Sequence, residues 1–411
     1  MTEYIPKPIS LILKEVGFKL PGRENHIPLG LEPYKIYSNQ YQDFLDKLPL
    51  LAEAFLAAYN FFQGRENSYP FIWRFDFLAT PHEKGLSEPH NYRLLELNGT
   101  RPGGMWLLNK AREAYRSLGI NGNFWMPEID HLGNFFRKLA KRNSDRSQLV
   151  ALGYTPGYVA EIEMPQLAQL LNRWAKENGY NLSFTSGPRE SFLSTNGYIL
   201  SSNGEIVSLF YENAAPQDIE GRRIDFLFSQ QENPGTVIIN PPELAGIDNK
   251  KLMAVLSSDN NFRRTIHPAV LPLIDELLPT TFFIPDSQTL TNFIGKPFFL
   301  KITDGIRGSS GKGVYNLACL DNEIFEEIKE LIENGHQFVA QQTIPPDNPW
   351  YQSIIIEDGQ PARRDSFFVD LDPYLVSDGQ EIEVIGALCR AKPTHPINIT
   401  QGGALFGVVI V

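Results

Sequence analysis

Two short segments near the start of the chain place charged and amide side chains within otherwise apolar strands. One has the sequence RFDF and begins at Arg74, and the other has the sequence LLELNG and begins at Leu94. Alternate residues of a strand lie on one face, so Arg74 pairs with Asp76, and Glu96 with Asn98. Two carboxylates and an amide oxygen form a set that Mg²⁺ accepts, usually together with water and nucleotide phosphates. Arg74 could neutralise phosphate oxygens that the metal leaves free, so the set predicts a polyphosphate site; ordinary exposed strand positions near a turn are the alternative.

A second group of candidate residues lies further along the chain. Lys301 stands in the apolar strand KPFFLKI, and a glycine-rich loop from Thr303 to Tyr315 follows it. Glycine lets a loop bring backbone N–H groups close to phosphate oxygens, and Lys301 could hold the α- and β-phosphates while the loop folds over them. The loop is not a Walker A motif, because Gly311-Lys312 is followed by Gly313 and not by Ser or Thr. A plain β-hairpin turn is the alternative.

Two further segments complete the candidate set. The strand that begins at Phe338 runs into Pro345-Pro346, and the backbone of such a stiffened turn can pair with the edge of adenine. The apolar strand GALCR ends at Arg390. Its guanidinium could stabilise the oxyanion that forms when an amine attacks an acyl phosphate, whereas a surface salt bridge is the alternative role.

The elements that must position these residues are a mixture of helices and strands. Apolar spacing predicts a helix over 41–63 and strands over 68–78 and 92–97. Between 147 and 239, strands alternate with helical segments, which indicates a layered α/β domain with a partly parallel sheet. Further helices are predicted over 109–117, 164–177, 248–256 and 322–333. We therefore expect a mixed α/β (α+β) fold in three parts, with boundaries at 1–145, 146–285 and 286–411.

Composition limits the classes of function that are open to this chain. It has 411 residues, and 37 basic against 48 acidic side chains give a net charge of -11, which argues against a broad nucleic-acid or anionic-membrane surface. Cys319 and Cys389 are too few for a disulfide framework and match no zinc pattern, so we expect two buried, reduced thiols. The chain lacks an apolar run of membrane-spanning length and the apolar core of a signal peptide, which indicates a cytoplasmic protein. The oligomeric state does not follow from the sequence.

Together, these segments resemble the ATP-grasp ligases, in which two lobes hold ATP between a lysine-bearing sheet and a second sheet with the metal ligands. The R-x-D, E-x-N and P-G motifs that typically end such proteins occur early in this chain, the last as Pro102-Gly103. This order resembles the circularly permuted ATP-grasp group, whose members are similar to the synthetase domain of glutathionylspermidine synthase. The resemblance covers roughly residues 70–411 and rests on the ordered set of motifs.

The resemblance implies that ATP and Mg²⁺ are the cofactors. It implies that Asp76, Glu96 and Asn98 ligate Mg²⁺ and that Arg74 contacts the γ-phosphate. Lys301 would then hold the α- and β-phosphates.

The same resemblance implies further nucleotide contacts. Lys250 or its neighbour Lys251 would be a second phosphate lysine, although a lysine on a helix surface is the alternative for both. The lid loop and the adenine hinge would comprise Gly308, Ser309, Ser310, Gly311, Gln341, Gln342 and Ile344.

The activity that the resemblance implies is ADP-forming ligation of a small-molecule carboxylate to an amine. Such catalysis relies on positioning and electrostatics and needs no Ser-His-Asp or Cys-His set. A small-molecule kinase on the same scaffold and a non-catalytic ATP-binding protein are the alternatives. The acceptor-contacting acids of glutathionylspermidine synthase have only Glu212 and Asp218 as candidates, both expected on a loop surface, so glutathione and spermidine do not follow as substrates.

Overall fold

The computed structural model describes residues 26–64, 69–81, 91–100, 102–142, 148–213, 228–303, 313–345, 348–357, 362–395, 397, 399 and 402–411. Within these ranges the chain has a mixed α/β fold, as the sequence predicts. The helices are α1 (Ser38–Gln63), α2 (Met105–Ser117), α3 (Ile129–Arg142), α4 (Ala160–Glu177), α5 (Lys251–Ser258), α6 (Asn260–Arg263), α7 (Leu271–Leu277), α8 (Ser287–Thr291) and α9 (Asn322–Glu333).

The strands are short except for four of eight or more residues. They are β1 (Leu29–Gly30), β2 (Tyr34–Ile36), β3 (Phe71–Thr80), β4 (Asn91–Asn98), β5 (Gln148–Tyr154), β6 (Leu182–Pro188), β7 (Leu193–Thr195), β8 (Tyr198–Leu200), β9 (Ile206–Val207), β10 (Leu209–Asn213), β11 (Val237–Ile239), β12 (Thr281–Ile284), β13 (Phe298–Ile302), β14 (Val314–Asn316), β15 (Phe338–Gln342), β16 (Tyr351–Ile356), β17 (Arg363–Ser377), β18 (Ile382–Lys392), β19 (Ala404–Phe406) and β20 (Val408–Ile410).

The largest sheet joins the two ends of the described chain. It has seven strands in the order β16-β1-β19-β18-β17-β3-β4, and β16 also pairs with β17, so part of the sheet curls back on itself. Strand β3 lies between β4 and β17 and is antiparallel to both. The segments that carry the R-x-D and E-x-N motifs are therefore hydrogen-bonded neighbours, and the C-terminal strands complete their sheet.

The two faces of β3 have different environments, as the alternation of its sequence predicts. Trp73, Phe75 and Phe77 are fully buried in the core that α1 covers. Arg74 and Asp76 project from the opposite face, because successive side chains of a strand alternate. Helix α1 buries one apolar side and ends at Gln63. Gly64, with a left-handed φ of 64°, caps its C-terminus.

A second, antiparallel sheet holds the lysine-bearing strand. Its order is β12-β15-β13-β14, so β13 lies between β15 and β14. Helix α9, which belongs to the same region, has the predicted bounds and begins after Asp321, whose side chain accepts a hydrogen bond from the Ile324 backbone N–H. The loop between β13 and β14 lies outside the described residues from 304 to 312.

A third sheet has four parallel strands in the order β11-β10-β5-β6. The predicted alternation of strands and helices in this region is confirmed, and α4 packs on β5 and β6. Helix α2 begins at Met105 and α4 at Ala160, four residues earlier than the predicted starts in both cases. The division of the chain at 145 and 285 stays a prediction.

Asn240 ties the parallel sheet to the large sheet. It follows β11, is buried, and holds a left-handed φ of 55°. Its amide accepts a hydrogen bond from Ile72 N at 2.9 Å and donates to Ile72 O at 2.9 Å and to Thr100 O at 3.4 Å. One side chain therefore satisfies both polar backbone groups of a residue in β3.

We expect Asn240→Ala to lower the free energy of unfolding by about 2–3 kcal/mol, because it leaves buried backbone groups without partners. Asn196 is a matched control, since it also has a positive φ of 49° but lies in an exposed turn. Asn196→Ala should cost about 1 kcal/mol from the backbone alone. Denaturant titration of both variants measures the difference, and equal losses would show that the hydrogen bonds of Asn240 contribute nothing.

Two smaller findings concern the composition. Cys389 is buried, but Cys319 is exposed, so the expectation of two buried thiols is wrong for Cys319. Cys319 lies in a short 3-10 helix that follows β14, outside the core of its sheet. Among the helices of the described ranges, none combines the length and apolar character that crossing a membrane requires.

Candidate active site

A cleft of about 380 Å³ lies between the large sheet and the lysine-bearing sheet. Residues from both sheets and Lys250, which immediately precedes α5, line it. Its charged lining residues are Asp76, Glu96, Asp370, Lys250, Lys301 and Arg390. Five of these six are predicted site residues, and segments far apart in the sequence bring them together.

The Asp76 carboxylate is the centre of a buried ion-pair network. Arg74 donates from Nε to Oδ1 at 2.8 Å and from Nη2 to Oδ2 at 3.0 Å. Asn98 Nδ2 also donates to Oδ1, at 2.9 Å, and Arg390 Nη2 donates to Oδ2, at 2.7 Å. Burial alone would raise the pKa of Asp76, but the two guanidiniums outweigh burial and lower it.

Arg74 and Asn98 do not line the cleft themselves but hydrogen-bond to Asp76, which does. Arg74 is buried, and its third contact is from Nη1 to the Gly103 carbonyl oxygen at 2.9 Å. Tyr374 donates to the same carbonyl at 2.7 Å. The predicted Pro-Gly turn is thereby fixed against the strand that carries Arg74.

Glu163 holds the other side of this turn, and sequence reasoning missed it. The side chain is almost fully buried on α4, and its carboxylate accepts hydrogen bonds from the backbone N–H groups of Gly104 and Trp106, both at 3.0 Å. These groups open helix α2, where unpaired N–H groups favour an acidic partner. No sequence signal links Glu163 to α2, because α4 begins more than fifty residues later.

Lys250 and Glu96 form an ion pair across the cleft, with Nζ 3.1 Å from Oε2. Burial favours the neutral forms, but each charge outweighs burial for the other, which raises the pKa of Lys250 and lowers that of Glu96. Lys251 points elsewhere, with its Nζ 4.3 Å from the centre of the Phe283 ring. The structure therefore places Lys250, and not Lys251, in the cleft.

Lys301 contacts the large sheet from the opposite side of the cleft. Its Nζ donates to the backbone carbonyl of Leu95 at 3.3 Å, and Gln341 Nε2 donates to the same oxygen at 3.4 Å. Burial lowers the pKa of Lys301 to about 8, against the raising effect of Glu96. Burial therefore destabilises the protonated form of Lys301, and a bound anion such as phosphate would stabilise it.

The cleft is also lined by apolar and amide side chains. The apolar lining residues are Leu78, Leu95, Phe299, Val314, Ile344 and Ile397. Gln341, Gln342 and Asn316 also line the cleft, and the role of the two glutamines as an adenine hinge stays a prediction. The predicted lid residues Gly308, Ser309, Ser310 and Gly311 lie outside the described residues.

Two buried acids on β17 belong to the network around Arg390, and sequence reasoning missed both. Asp370 accepts hydrogen bonds from Arg390 Nε at 3.0 Å and from Nη2 at 2.8 Å. Asp372 Oδ2 lies 2.7 Å from Arg390 Nε, but neither oxygen of this carboxyl accepts a hydrogen bond from the described part of the chain. Burial raises the pKa of both carboxyl groups.

Arg390 is therefore not a surface residue with a single salt bridge. Its side chain is only 12% exposed and lies among three carboxyl groups. The alternation Asp370-Leu371-Asp372 is the same strand signal that identified Arg74 and Asp76, and it could have identified these two acids.

Glu212 also differs from its expected place. It is buried in β10, 1% exposed, and its Oε1 lies 2.7 Å from Nη1 of the equally buried Arg189. The prediction of a loop-surface position is therefore wrong. Strands β6 and β10 flank β5 in parallel register, so their carboxyl ends lie at the same edge of the sheet and Arg189, which follows β6, reaches Glu212. Asp218 lies outside the described residues.

The cleft has the donor chemistry that Mg²⁺ requires. In the part of the chain that the structure describes, no three His, Cys, Asp or Glu side chains form a metal site on their own. Asp76 and Glu96 both face the cleft, however, and Mg²⁺ is usually held by one or two carboxylates together with substrate phosphates. The residues present fit a metal that arrives with a nucleotide.

Comparisons with known proteins support the fold. No protein-family profile matches the sequence, and no curated protein is similar to it at a significant level. Among solved structures, the chain is similar to a glutathione synthetase-like effector from Globodera pallida, with a TM-score of 0.64 and 11% identity over 98% of this chain and 95% of that chain. This similarity shows a shared fold and not a shared activity.

Two other solved structures are more distant. One is a protein provisionally named gamma-glutamylcysteine synthetase from Methylobacillus flagellatus KT, with a TM-score of 0.42, 13% identity, and coverage of 88% of this chain and 87% of that chain. The other is a RimK domain ATP-grasp protein from Sphaerobacter thermophilus DSM 20745, with a TM-score of 0.29, 15% identity, and coverage of 61% and 94%. Neither is close enough to support an argument.

Proposed function

We propose that the protein is an ATP-dependent, ADP-forming carboxylate-amine ligase with a circularly permuted ATP-grasp fold. The observation that carries this proposal is the single cleft that brings Asp76 and Glu96 together with Lys250 and Lys301 and with apolar and amide side chains. Such a cleft is complementary to a metal-bound nucleotide triphosphate. The similarity in fold to a glutathione synthetase-like protein is compatible with it.

The base of the nucleotide is proposed to lie against Leu95 and Ile344, which pack on the same small apolar cluster. The amides of Gln341 and Gln342 also line the cleft and would offer hydrogen bonds to the base. The phosphates then meet Lys250 and Lys301. Each ammonium exchanges a protein partner for phosphate oxygens, which are stronger acceptors.

Asp76 and Glu96 would hold Mg²⁺, with Asn98 beside Asp76. The bound ion would neutralise phosphate oxygens and so lower the cost of charge build-up on the γ-phosphoryl group. Arg74 positions Asp76 through its two hydrogen bonds and through its contact with Gly103.

The proposed reaction has two steps. A substrate carboxylate oxygen attacks the γ-phosphorus, and the bond to the bridging oxygen of ADP breaks, which gives an acyl phosphate and ADP. The amine nitrogen then attacks the acyl carbon, inorganic phosphate leaves, and the amine proton passes to solvent. Arg390 faces the cleft and stabilises the oxyanion of this second step.

We propose that the pockets for the amine substrate and for the carboxylic acid substrate lie on the parallel α/β part of the chain, within 146–285. Ligands of such sheets bind outside the carboxyl ends of the strands. The carboxyl ends of β6 and β10 carry the buried Arg189–Glu212 pair, so that edge already concentrates charge.

A phosphate-release screen tests the proposal. The protein with Mg²⁺ and ATP is offered pairs of small carboxylic acids and amines, and mass spectrometry identifies the product. We expect ADP and phosphate in equal amounts with an amide whose mass is the sum of the substrates less water. A phosphorylated product without free phosphate would indicate the kinase alternative, and ATP binding without turnover under every pairing would indicate a non-catalytic binder.

The low pKa of Lys301 predicts how ATP binding depends on pH. The free protein has this ammonium protonated below about pH 8 and loses the charge as the pH rises through that value. Phosphates prefer the charged form, so the dissociation constant for ATP should rise by up to about tenfold per pH unit above pH 8. Calorimetry at pH 7 and pH 9 checks this, and proton uptake on binding near pH 9 should accompany it. A pH-independent affinity over this range would contradict a role for Lys301.

A further inference from the structure

The coordination of Asp76 contains a conflict that the proposed function must resolve. A carboxylate has about four lone-pair sites. Arg74 supplies two donors, Asn98 supplies one and Arg390 supplies one, which fills both oxygens. A metal ion can bind Asp76 only after one of these donors withdraws.

Arg390 is the donor that can leave Asp76 and still keep a carboxylate partner, because it also donates to Asp370. Its Nη2 bridges Asp76 Oδ2 at 2.7 Å and Asp370 Oδ2 at 2.8 Å, and its Nε donates to Asp370 Oδ1 at 3.0 Å. Arg74 has no comparable second carboxylate among its described contacts, since its remaining partner is the Gly103 carbonyl. Withdrawal of the neutral Asn98 amide would leave both cations next to the incoming metal.

Asp372 is a second acid on β17 that would hold Arg390 after it leaves Asp76. This carboxyl group is fully buried, and its Oδ2 lies 2.7 Å from Arg390 Nε. Neither of its oxygens accepts a hydrogen bond from the described residues, and a buried carboxyl in this state is costly unless a cation compensates it. A small movement of Arg390 away from Asp76 and toward β17 would let the guanidinium donate a hydrogen bond to this acid.

We propose that Asp370 and Asp372 are positioning residues that receive Arg390 when Mg²⁺ binds Asp76. Without the metal, Arg390 donates a hydrogen bond to Asp76 Oδ2, and the metal would take the place of this hydrogen bond when the nucleotide binds. The two acids keep the guanidinium charged and close to the reacting atoms, in the place where the second reaction step needs it. This inference rests on the proposed nucleotide site and adds an exchange of cations within it.

The test measures how much Mg²⁺ strengthens ATP binding, and it needs no knowledge of the other substrates. Calorimetry gives the dissociation constant for ATP in EDTA and in excess Mg²⁺, and the ratio of the two constants reports the metal effect. The affinity of Mg²⁺ for ATP in solution is common to all variants and cancels in their comparison. The variants are Asp370→Asn, Arg390→Gln, their combination, and Asp365→Asn as a control on the same strand outside the cleft.

We expect Asp370→Asn to reduce the metal effect about tenfold, because Arg390 then remains on Asp76. In the Arg390→Gln background the same substitution should change the metal effect less than about threefold, since only the direct loss of a charge remains. Asp365→Asn should leave it unchanged. Asp370→Glu, which keeps the charge, should restore most of the metal effect if the variant unfolds at the wild-type temperature.

The outcomes separate this inference from the proposed function. An equal reduction in both backgrounds would mean that Asp370 acts on the metal only through its charge, and the exchange would be wrong. An unchanged ratio in Asp370→Asn would also overturn it. Absence of ATP binding by the wild-type protein would overturn the nucleotide site itself and the exchange with it.

Discussion

Replacing Lys301 with methionine should weaken ATP binding by about 100-fold. Methionine keeps the length of the side chain and most of its apolar surface, so the change removes mainly the ammonium. The ammonium lines the cleft, donates to Leu95 O and is stabilised by the charge of Glu96, and phosphates are expected to take over these interactions. Truncating one partner of a desolvated charge pair costs about 2–5 kcal/mol, which corresponds to roughly 30- to 4,000-fold in affinity.

Lys296→Met is the matched control for this prediction. Lys296 precedes the same strand, but its side chain is exposed and its Nζ lies 5.9 Å from the centre of the Phe293 ring. We expect its affinity for ATP to stay within about twofold of wild type, since surface charges contribute little. Calorimetric titration with ATP and Mg²⁺ measures both variants. An equal loss in the two would mean that general electrostatics, and not a defined phosphate site, governs binding.

Asp76→Asn should lower the free energy of unfolding by about 3 kcal/mol and remove the Mg²⁺ dependence of ATP binding. The substitution leaves Arg74 and Arg390 buried with one fewer carboxylate, and removing one partner of a buried ion pair costs about 3–5 kcal/mol. An asparagine keeps one acceptor oxygen, so we expect a loss near the lower limit of this range. Urea titration measures the stability, and calorimetry with and without Mg²⁺ measures the metal effect.

Asp275→Asn provides the comparison on stability. Asp275 forms a two-point ion pair with Arg263, at 2.8 and 2.9 Å, but its side chain is 59% exposed. We expect a loss below about 1 kcal/mol, because water screens such pairs. A loss in Asp76→Asn no greater than in Asp275→Asn would show that the buried network around Asp76 is not held by charge.

The sequence predicts most of the site because strand alternation is a local property. Arg74 and Asp76 share a face of β3, and the antiparallel register places Glu96 opposite Asp76. These predictions need only the side-chain period of two and a pairing between neighbouring segments. The assignment of Gln341 and Gln342 rests on the family resemblance instead, because two consecutive residues of β15 alternate in direction.

Alternation could have identified Asp370 and Asp372 as a polar face of a strand, but their place beside Arg390 depends on long-range register, which a local pattern does not contain. Strand β17 includes Pro373, and proline in a central strand normally argues against a strand assignment. The structure accommodates it where the pairing with β3 is interrupted, between Leu371 and Tyr374. Asp370 and Asp372 were therefore in a segment without a predicted partner, and only the pairing with β18 shows that they face Arg390.

The seven-stranded sheet also determines when the site can form during synthesis. Asp76 and Arg390 are in contact although 314 residues separate them in the chain. Contacts of such long range form slowly, and a growing chain must wait for β17 before β3 has its second neighbour beside β4. Until then the apolar face of β3 and its unpaired edge are open to other chains in the cell. We therefore expect ribosome-bound chains that stop before β17 to be chaperone substrates, and ATP binding to appear only after β18 has left the ribosomal tunnel.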